Sequence, residues 1–176
     1  MNWNLISLET IFYLAGAVAV IASLKVVTGK NTIHALLYLV VSLLAVAVCF
    51  YLMGAPFAAG LEVIVYAGAI LVLFVFAVMM FGLAKDETKH APQATGLSIW
   101  VGPVVLALVL LVILIFAIDD ASIQQKLTAN LVGARQVGAL LYGPYLLAVE
   151  IASFLLLAGL VAGYHYAKPD GQGGHL

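Results

Sequence analysis

Apolar residues occur in five long runs along the chain, and polar residues are concentrated between them. The runs cover residues 8–27, 33–53, 58–83, 97–118 and 144–166. Each run is long enough for an α-helix to cross a hydrocarbon core of about 30 Å, which takes roughly 20 residues. None has the alternation of apolar and polar residues that marks the strands of a membrane barrel. The pattern therefore predicts an all-α integral membrane protein with five transmembrane helices.

The composition agrees with a membrane protein and excludes several classes of function. Hydrophobic residues make up 65% of the 176 residues and charged residues only 9%, whereas soluble proteins average about 45–50% apolar and about 25% charged. A net charge of −1 without a basic cluster gives no attraction to nucleic acid. Cys49 is the only cysteine and the four histidines lack ligand spacing, so we expect no metal, haem or iron–sulfur site.

Patterns of a catalytic site are also missing from the sequence. There is no glycine-rich phosphate loop between a strand and a helix, and no nucleophile paired with a base. The short polar connections leave no room for a soluble catalytic domain. We therefore expect this chain to bind no cofactor and to have no catalytic activity by itself.

The cations are distributed unevenly between the connections. The second connection has none, and the fourth has two that are offset by two aspartates. The remaining five lie in the first connection, the third connection and the tail: Lys25, Lys30, Lys85, Lys89 and Lys168. Because cytoplasmic loops carry the excess of Lys and Arg, this distribution predicts an external N-terminus and a cytoplasmic C-terminus. We expect residues 1–167 to form a single domain and 168–176 a flexible tail.

The fourth connection, residues 119–143, is the longest and mixes amide, small and apolar residues. Two interpretations are open for it. The segment can form an amphipathic helix at the membrane interface, or it can pack on a partner.

The third run contains a carboxylate, Glu62, and a phenol, Tyr66, four residues later. This spacing places both side chains on one face of a helix. Gly68 follows and lowers helix stability by about 1 kcal/mol relative to alanine, and wide helical turns often occur at functional places. An irregular, switchable turn is one interpretation. In the other, Glu62 gains about 0.3–1 kcal/mol from the helix dipole at a wet helix start, Tyr66 is an interhelical donor and Gly68 allows close packing.

Glu150 is the second carboxylate within a predicted span. If the fifth helix begins at Pro144, Glu150 lies about 9 Å along it. Ser153 is a neighbour on the same face. A carboxylate at this depth needs a polar partner or water, so Glu150 has either a role in ion movement or a buried structural hydrogen bond.

Two further patterns concern helix contacts. His34, Tyr38 and Ser42 repeat every four residues in the second run, which suits a proton relay or, for the first two, anchoring at the membrane interface. Small residues at four-residue spacing mark packing faces. They are Gly159 and Gly163 in the fifth run and Ala15, Ala19 and Ser23 in the first.

Three blocks carry a family resemblance. They are HALLYLVVSLLAVA in the second run, GLEVIVYAGAILVLFVFAVMM in the third and LYGPYLLAVEIASFLLLAGLVA in the fifth. In matching order, over about residues 10–166, the chain resembles subunit J of bacterial proton-pumping NADH:quinone oxidoreductase, respiratory complex I. The mitochondrial counterpart of that family is the sixth mitochondrially encoded NADH dehydrogenase subunit.

The resemblance implies a non-redox, multi-pass subunit of this translocase in the bacterial cell inner membrane. It also implies packing beside the complex I membrane subunits called A, H and K, in contact with lipid. The complex is expected to carry FMN and iron–sulfur clusters and to use NADH and quinone, with no cofactor in this chain. Its role there would be to help couple quinone reduction to proton pumping.

In that family a π-bulge in the third helix is thought to open or close a water path. Carried to this sequence, the resemblance implies proton-path or coupling roles for Glu62, Tyr66 and Glu150. It places the bulge at residues 68–72 and implies a gate formed by the bulge and the face that follows it. The positions are Gly68, Ala69, Ile70, Leu71, Val72, Leu73, Phe74 and Phe76.

Two other functions remain open. Two membrane carboxylates also suit a small ion-antiporter or transporter component, although no inverted repeat or pair of broken helices supports it. The third function is a purely structural membrane scaffold whose polar residues only fix helix packing.

Overall fold

The computed structural model describes residues 8–29, 31–80, 97–119 and 131–167. The chain divides into two compact units, Met1–Val132 and Gly133–Leu176, called here the first and the second unit. The predicted tail and four of the five cations used for orientation lie outside the described residues. The predictions of a single domain and of an external N-terminus therefore stay predictions.

Every secondary-structure element in the described ranges is helical. The first unit contains α1 (Leu8–Thr28), α2 (Thr32–Leu52), α3 (Pro56–Leu61), a π-helical segment (Glu62–Ile70), α4 (Leu71–Met80) and α5 (Leu97–Asp119). The second unit contains α6 (Ala134–Leu141) and α7 (Leu146–Ala167). Because α3, the π segment and α4 run on as one span, five helical stretches are long and apolar enough to cross a membrane. The prediction of five membrane helices is confirmed.

Local chemistry sets the start of α2, the tight turn after α2 and the start of α3. The Asn31 side-chain oxygen accepts hydrogen bonds from the backbone N–H groups of Ile33 and His34 at 3.0 and 3.2 Å, which caps the start of α2. Gly54, with φ of 80°, takes the left-handed conformation that only glycine adopts without strain. Pro56 then opens α3 at a position where the missing N–H is not needed.

The core of the first unit lies between α1, α2 and α5. Its buried residues recur every three or four positions, which is the spacing of one helix face. They are Ile11, Ala15, Val18 and Ala22 on α1, Val41, Ala45, Val48 and Leu52 on α2, and Leu110, Ile113 and Ala117 on α5. Four alanines in this set are completely buried, and small residues let helices approach closely in a membrane.

Two serines join α1 to α2 inside this packing. The hydroxyl of Ser42 donates to the backbone carbonyl of Ala19 at 3.2 Å, and the hydroxyls of Ser23 and Ser42 lie 2.8 Å apart. A hydroxyl has one hydrogen to donate. Because Ser42 donates its hydrogen to the Ala19 carbonyl, Ser23 is the donor in the bond between the two hydroxyls. The small-residue row predicted in the first run therefore packs against α2 of the same chain.

The polar stripe on α2 points into the first unit along its whole length. Ser42 is buried, and the Nε2 atom of His34 is also buried and has no hydrogen-bond partner among the residues that the structure describes. The Tyr38 hydroxyl lies so close to Gly102 of α5 that a Cβ atom at position 102 would overlap it. Tyr38 therefore makes a contact between helices, and its anchoring at the membrane interface stays a prediction.

The second unit is a short helix followed by a long one. The N–H of Tyr145 donates to the Leu140 carbonyl at 3.1 Å across the turn between them. Gly143 is required there, because a Cβ atom would lie 2.7 Å from the Ala139 carbonyl oxygen. Within this unit no residue of α7 is buried, and a Cβ atom at Gly159 or Gly163 would meet nothing within 4 Å.

We expect Gly102→Ala to destabilise the first unit by about 1–3 kcal/mol, the usual effect of an added group in a well-packed contact. Tyr38→Phe removes the overlapping hydroxyl, so the double variant Tyr38→Phe/Gly102→Ala should recover part of that loss. Thermal unfolding of the purified protein in detergent measures the coupling as a double-mutant cycle. Gly16→Ala is the matched control, since a Cβ atom there meets nothing within 4 Å. Equal losses for Gly102→Ala with and without the Tyr38 hydroxyl would contradict the contact.

Candidate functional site

The third span changes its hydrogen-bond pattern in the middle without being interrupted. The nine residues Glu62–Ile70 form a π-helix, and the Leu71 N–H that follows donates to the carbonyl of Tyr66, five residues earlier. An α-helix would use the carbonyl four residues earlier. The segment lies earlier in the chain than the expected bulge at 68–72 and shares only residues 68–70 with it. Leu71 and Val72 belong to α4.

Gly68 lies at a crowded point of the wide turn. A Cβ atom at this position would be 3.0 Å from the backbone carbonyl oxygen of Val63, which is five residues earlier. This distance is shorter than ordinary van der Waals contact, so a side chain here would push the carbonyl away. The absence of a side chain at Gly68 is therefore one reason why the π turn fits.

Glu62 is the first residue of the π segment and is almost completely buried, with 9% of its surface exposed. It lies six residues after Pro56, about 9 Å along the helix. The helix dipole acts only within the first turn, so it does not explain this carboxylate. Among the described residues none makes a hydrogen bond or an ion pair with the Glu62 side chain. Because neither the helix dipole nor a described polar neighbour accounts for it, this buried carboxylate needs water or another polar group beside it.

A cavity of 380 Å³ supplies space beside this carboxylate. It is lined by Phe50 of α2, by Ala58 and Leu61 of α3, and by Glu62, Val65 and Tyr66 of the π segment. The structure thus brings Glu62 and Tyr66 to one cavity, as their four-residue spacing suggests. Tyr66 remains half exposed, so its phenol borders both the cavity and the surface of the first unit. A carboxylate and a phenol around one opening can exchange a proton through water.

The residues expected to form a gate are mostly on the surface of the first unit. Leu71 is buried, with 5% of its surface exposed. The other members that follow the π segment are exposed: Val72, Leu73, Phe74 and Phe76. A rotation of α4 about its axis would therefore change which of these side chains are buried and which are exposed.

Glu150 belongs to α7 in the second unit and is exposed there. The Ser153 hydroxyl, expected near it, donates to the backbone carbonyl of Glu150 at 2.7 Å. This bond involves the main chain, so Ser153 does not stabilise the carboxylate. The structure therefore assigns the two membrane carboxylates to different units.

In the ranges that the structure describes, no three His, Cys, Asp or Glu side chains lie close enough to share a metal ion. The chemistry of the site in these ranges is that of one carboxylate and one phenol beside a cavity. Sequence reasoning missed the contribution of Phe50, because the apolar pattern of α2 does not distinguish the residue that reaches the third span. It also missed the early start of the π segment. The only local signal of this start in the sequence is Gly68, five residues after Val63.

Comparison with known proteins gives a consistent result. The family described as NADH-ubiquinone/plastoquinone oxidoreductase chain 6 matches residues 22–165. A Pseudomonas aeruginosa protein named NADH-quinone oxidoreductase subunit J is 51% identical over 165 residues, covering 94% of this chain and 99% of that protein. The Escherichia coli K12 protein of the same name is 46% identical over 166 residues, covering 94% and 90%. The subunit J from Buchnera aphidicola subsp. Schizaphis graminum is 42% identical, covering 92% and 98%.

We expect Gly68→Ala to shift the third span from the π turn toward a regular α-helix, because the added methyl crowds the Val63 carbonyl. The readout is the partner of the Leu71 N–H in a structure of the variant solved by electron cryomicroscopy in lipid nanodiscs. A bond to the Ala67 carbonyl, four residues earlier, is the expected result. Retention of the bond to Tyr66 with an unmoved Val63 carbonyl would show that Gly68 does not decide the turn.

Proposed function

This chain belongs to the family of NADH-ubiquinone/plastoquinone oxidoreductase chain 6, and we propose that it helps couple quinone reduction to proton pumping through a switchable third helix. The observation that carries this proposal is the buried Glu62 carboxylate beside a cavity at the start of a π-helical segment. An ionisable side chain and a wide helical turn at the same place within a membrane span are expected at a site that moves ions.

In this proposal the chain is a non-redox subunit of a proton-translocating enzyme in the bacterial inner membrane. Its partners are other membrane subunits of complex I, of which A, H and K are the ones we expect in contact. The whole complex uses NADH and quinone and carries FMN and iron–sulfur clusters, and this chain holds none of them. The N-terminus is outside and the C-terminus is cytoplasmic.

The mechanism follows from the geometry of the π segment. Replacing the π turn by an α turn changes the register of all later residues by about 100°. Such a rotation moves Leu71 out of its buried position and turns the side chains of Leu73 and Phe74 toward new neighbours. Bulky apolar side chains interrupt a chain of water molecules, and their withdrawal lets the chain form. The third helix would then gate proton movement.

Glu62 and Tyr66 act as proton-path residues at the wall of the cavity. Glu62 is the first residue of the π segment, where the register begins to change, so it stays near Phe50 while α4 rotates. Tyr66 lies four residues further into the segment and turns with the residues that follow. Glu150 is the proposed coupling carboxylate on α7. Glu62 would thus stay in place, and rotation of the helix after it would open or close the water path that leads to it.

We expect Gly68→Val to lower quinone-linked proton pumping by about tenfold, which corresponds to about 1.4 kcal/mol of bias against the π turn. The rate from NADH to an artificial electron acceptor should stay close to that of the unmodified enzyme, because no redox group is in this chain. Both rates are measured on membrane vesicles containing the intact oxidoreductase. The control is Gly16→Val, where added atoms have open space at the Cβ position. Normal pumping in Gly68→Val would remove the support for a gate.

We expect Glu62→Gln to reduce the number of protons pumped per NADH oxidised, because the amide keeps the size of the side chain but cannot carry a proton. Glu150→Gln is measured separately with the same pumping assay. The control is Glu9→Gln in the first turn of α1, an exposed carboxylate outside the proposed path. An unchanged ratio in both Glu62→Gln and Glu150→Gln would favour the structural scaffold.

A further inference from the structure

Among the described residues, Phe50 is the one from outside the third span that lines the cavity beside Glu62. The other lining residues belong to α3 and the π segment, which are parts of the third span itself. Glu62 is buried although its chain neighbours Leu61 and Val63 are exposed. Phe50 therefore forms the part of the wall around this carboxylate that the third span does not supply.

The chemistry of the lining decides whether the cavity holds water. A volume of 380 Å³ has room for several water molecules, since each takes up about 30 Å³ in the liquid. A buried water molecule also needs polar partners, and apolar cavities stay dry. Glu62 and Tyr66 are the only residues in the described lining with polar side chains. An apolar ring on the remaining wall favours the dry state, as hydrophobic constrictions do in channels.

The position of Phe50 is fixed by the end of α2. Val48 and Leu52, two residues to either side, are buried in the core of the first unit. A step of two residues turns a helix by about 200°, so Phe50 leaves α2 on the side away from that core. Its carbonyl accepts the N–H of Ala55 at 3.0 Å across the turn into α3. Phe50 thus stays in place when the register of the third span changes, whereas Tyr66 turns.

We propose that Phe50 is the stationary half of the gate, a positioning residue whose ring limits the water that reaches Glu62. This inference rests on the proposed function of Glu62 as a proton-path residue. Rotation of the residues after Glu62 moves Tyr66 relative to the fixed ring and changes the number of polar groups that water meets in the cavity. The ring prevents passive proton flow at other times by keeping the chain of water molecules interrupted.

Water access is measured in the intact oxidoreductase with Ala58→Cys, which places a thiol on the cavity wall, in a Cys49→Ala background. The rate of modification by a charged, water-soluble thiol reagent is followed by mass spectrometry of this chain. Phe50→Ala should raise this rate roughly tenfold, which corresponds to a barrier lower by about 1.4 kcal/mol. Phe50→Leu keeps the wall apolar and should stay close to the original rate. The matched control is Phe12→Ala, a partly buried ring that packs against the core of the first unit and does not line the cavity.

Passive proton flow is the second readout. Membrane vesicles with Phe50→Ala should lose an imposed proton gradient roughly tenfold faster in the absence of NADH, and Phe50→Leu should restore the slow loss. The rate from NADH to an artificial electron acceptor should not change. If Phe50→Ala fails to assemble, Phe50→Tyr takes its place, because it keeps the ring and adds a polar group to the wall. It should raise both rates.

Unchanged thiol modification, unchanged proton flow, or an equal rise in Phe12→Ala would each overturn the role of Phe50. Comparison with Gly68→Val separates this inference from the switchable helix. Lowered pumping in Gly68→Val with both Phe50 readouts unchanged would contradict the role of Phe50 alone. Faster proton flow in Phe50→Ala with normal pumping in Gly68→Val would contradict the switchable helix and support the role of Phe50.

Discussion

Every backbone amide in a lipid-crossing segment must find its hydrogen-bond partner within the protein, because the hydrocarbon core offers none. This constraint shapes the third span more than any side chain does. The span cannot open a loop in the membrane, but it can exchange one carbonyl partner for another. The Leu71 N–H bonds to Tyr66 instead of Ala67, and the helix continues. A change of register is therefore the form that a switch can take here without exposing polar backbone to lipid.

Within the first unit, one part of the chain is tightly packed and another part has few buried side chains. The helices α1, α2 and α5 share a core of closely packed alanines and branched residues, reinforced by the serine contact between α1 and α2. The stretch from Glu62 to Met80 is held differently. Its buried side chains are only Glu62, Leu71 and Val78, and hollows lie on both sides of its first half. Among the described residues of the first unit, a register change in the third span would disturb few packed contacts.

The hydropathy of the chain was sufficient to predict the five spans, because each is a continuous apolar run of membrane length. The four-residue spacing was also sufficient to predict that Glu62 and Tyr66 share a face. The start of the π segment was not predictable, since the choice between two carbonyl partners depends on crowding at Gly68 and on packing against α2. The contact of Tyr38 with Gly102 and the bond from Ser153 to the Glu150 backbone were missed for a related reason. Each depends on where a side chain points in the folded protein.

The central claim is that the third span alternates between a π and an α turn while protons are pumped. Electron cryomicroscopy of the intact oxidoreductase, frozen while it oxidises NADH with quinone, tests this most directly. The account predicts two classes of particles that differ in the partner of the Leu71 N–H and in the orientation of α4. A single class with the Tyr66 bond intact in every particle, under conditions where pumping is measured, would contradict it.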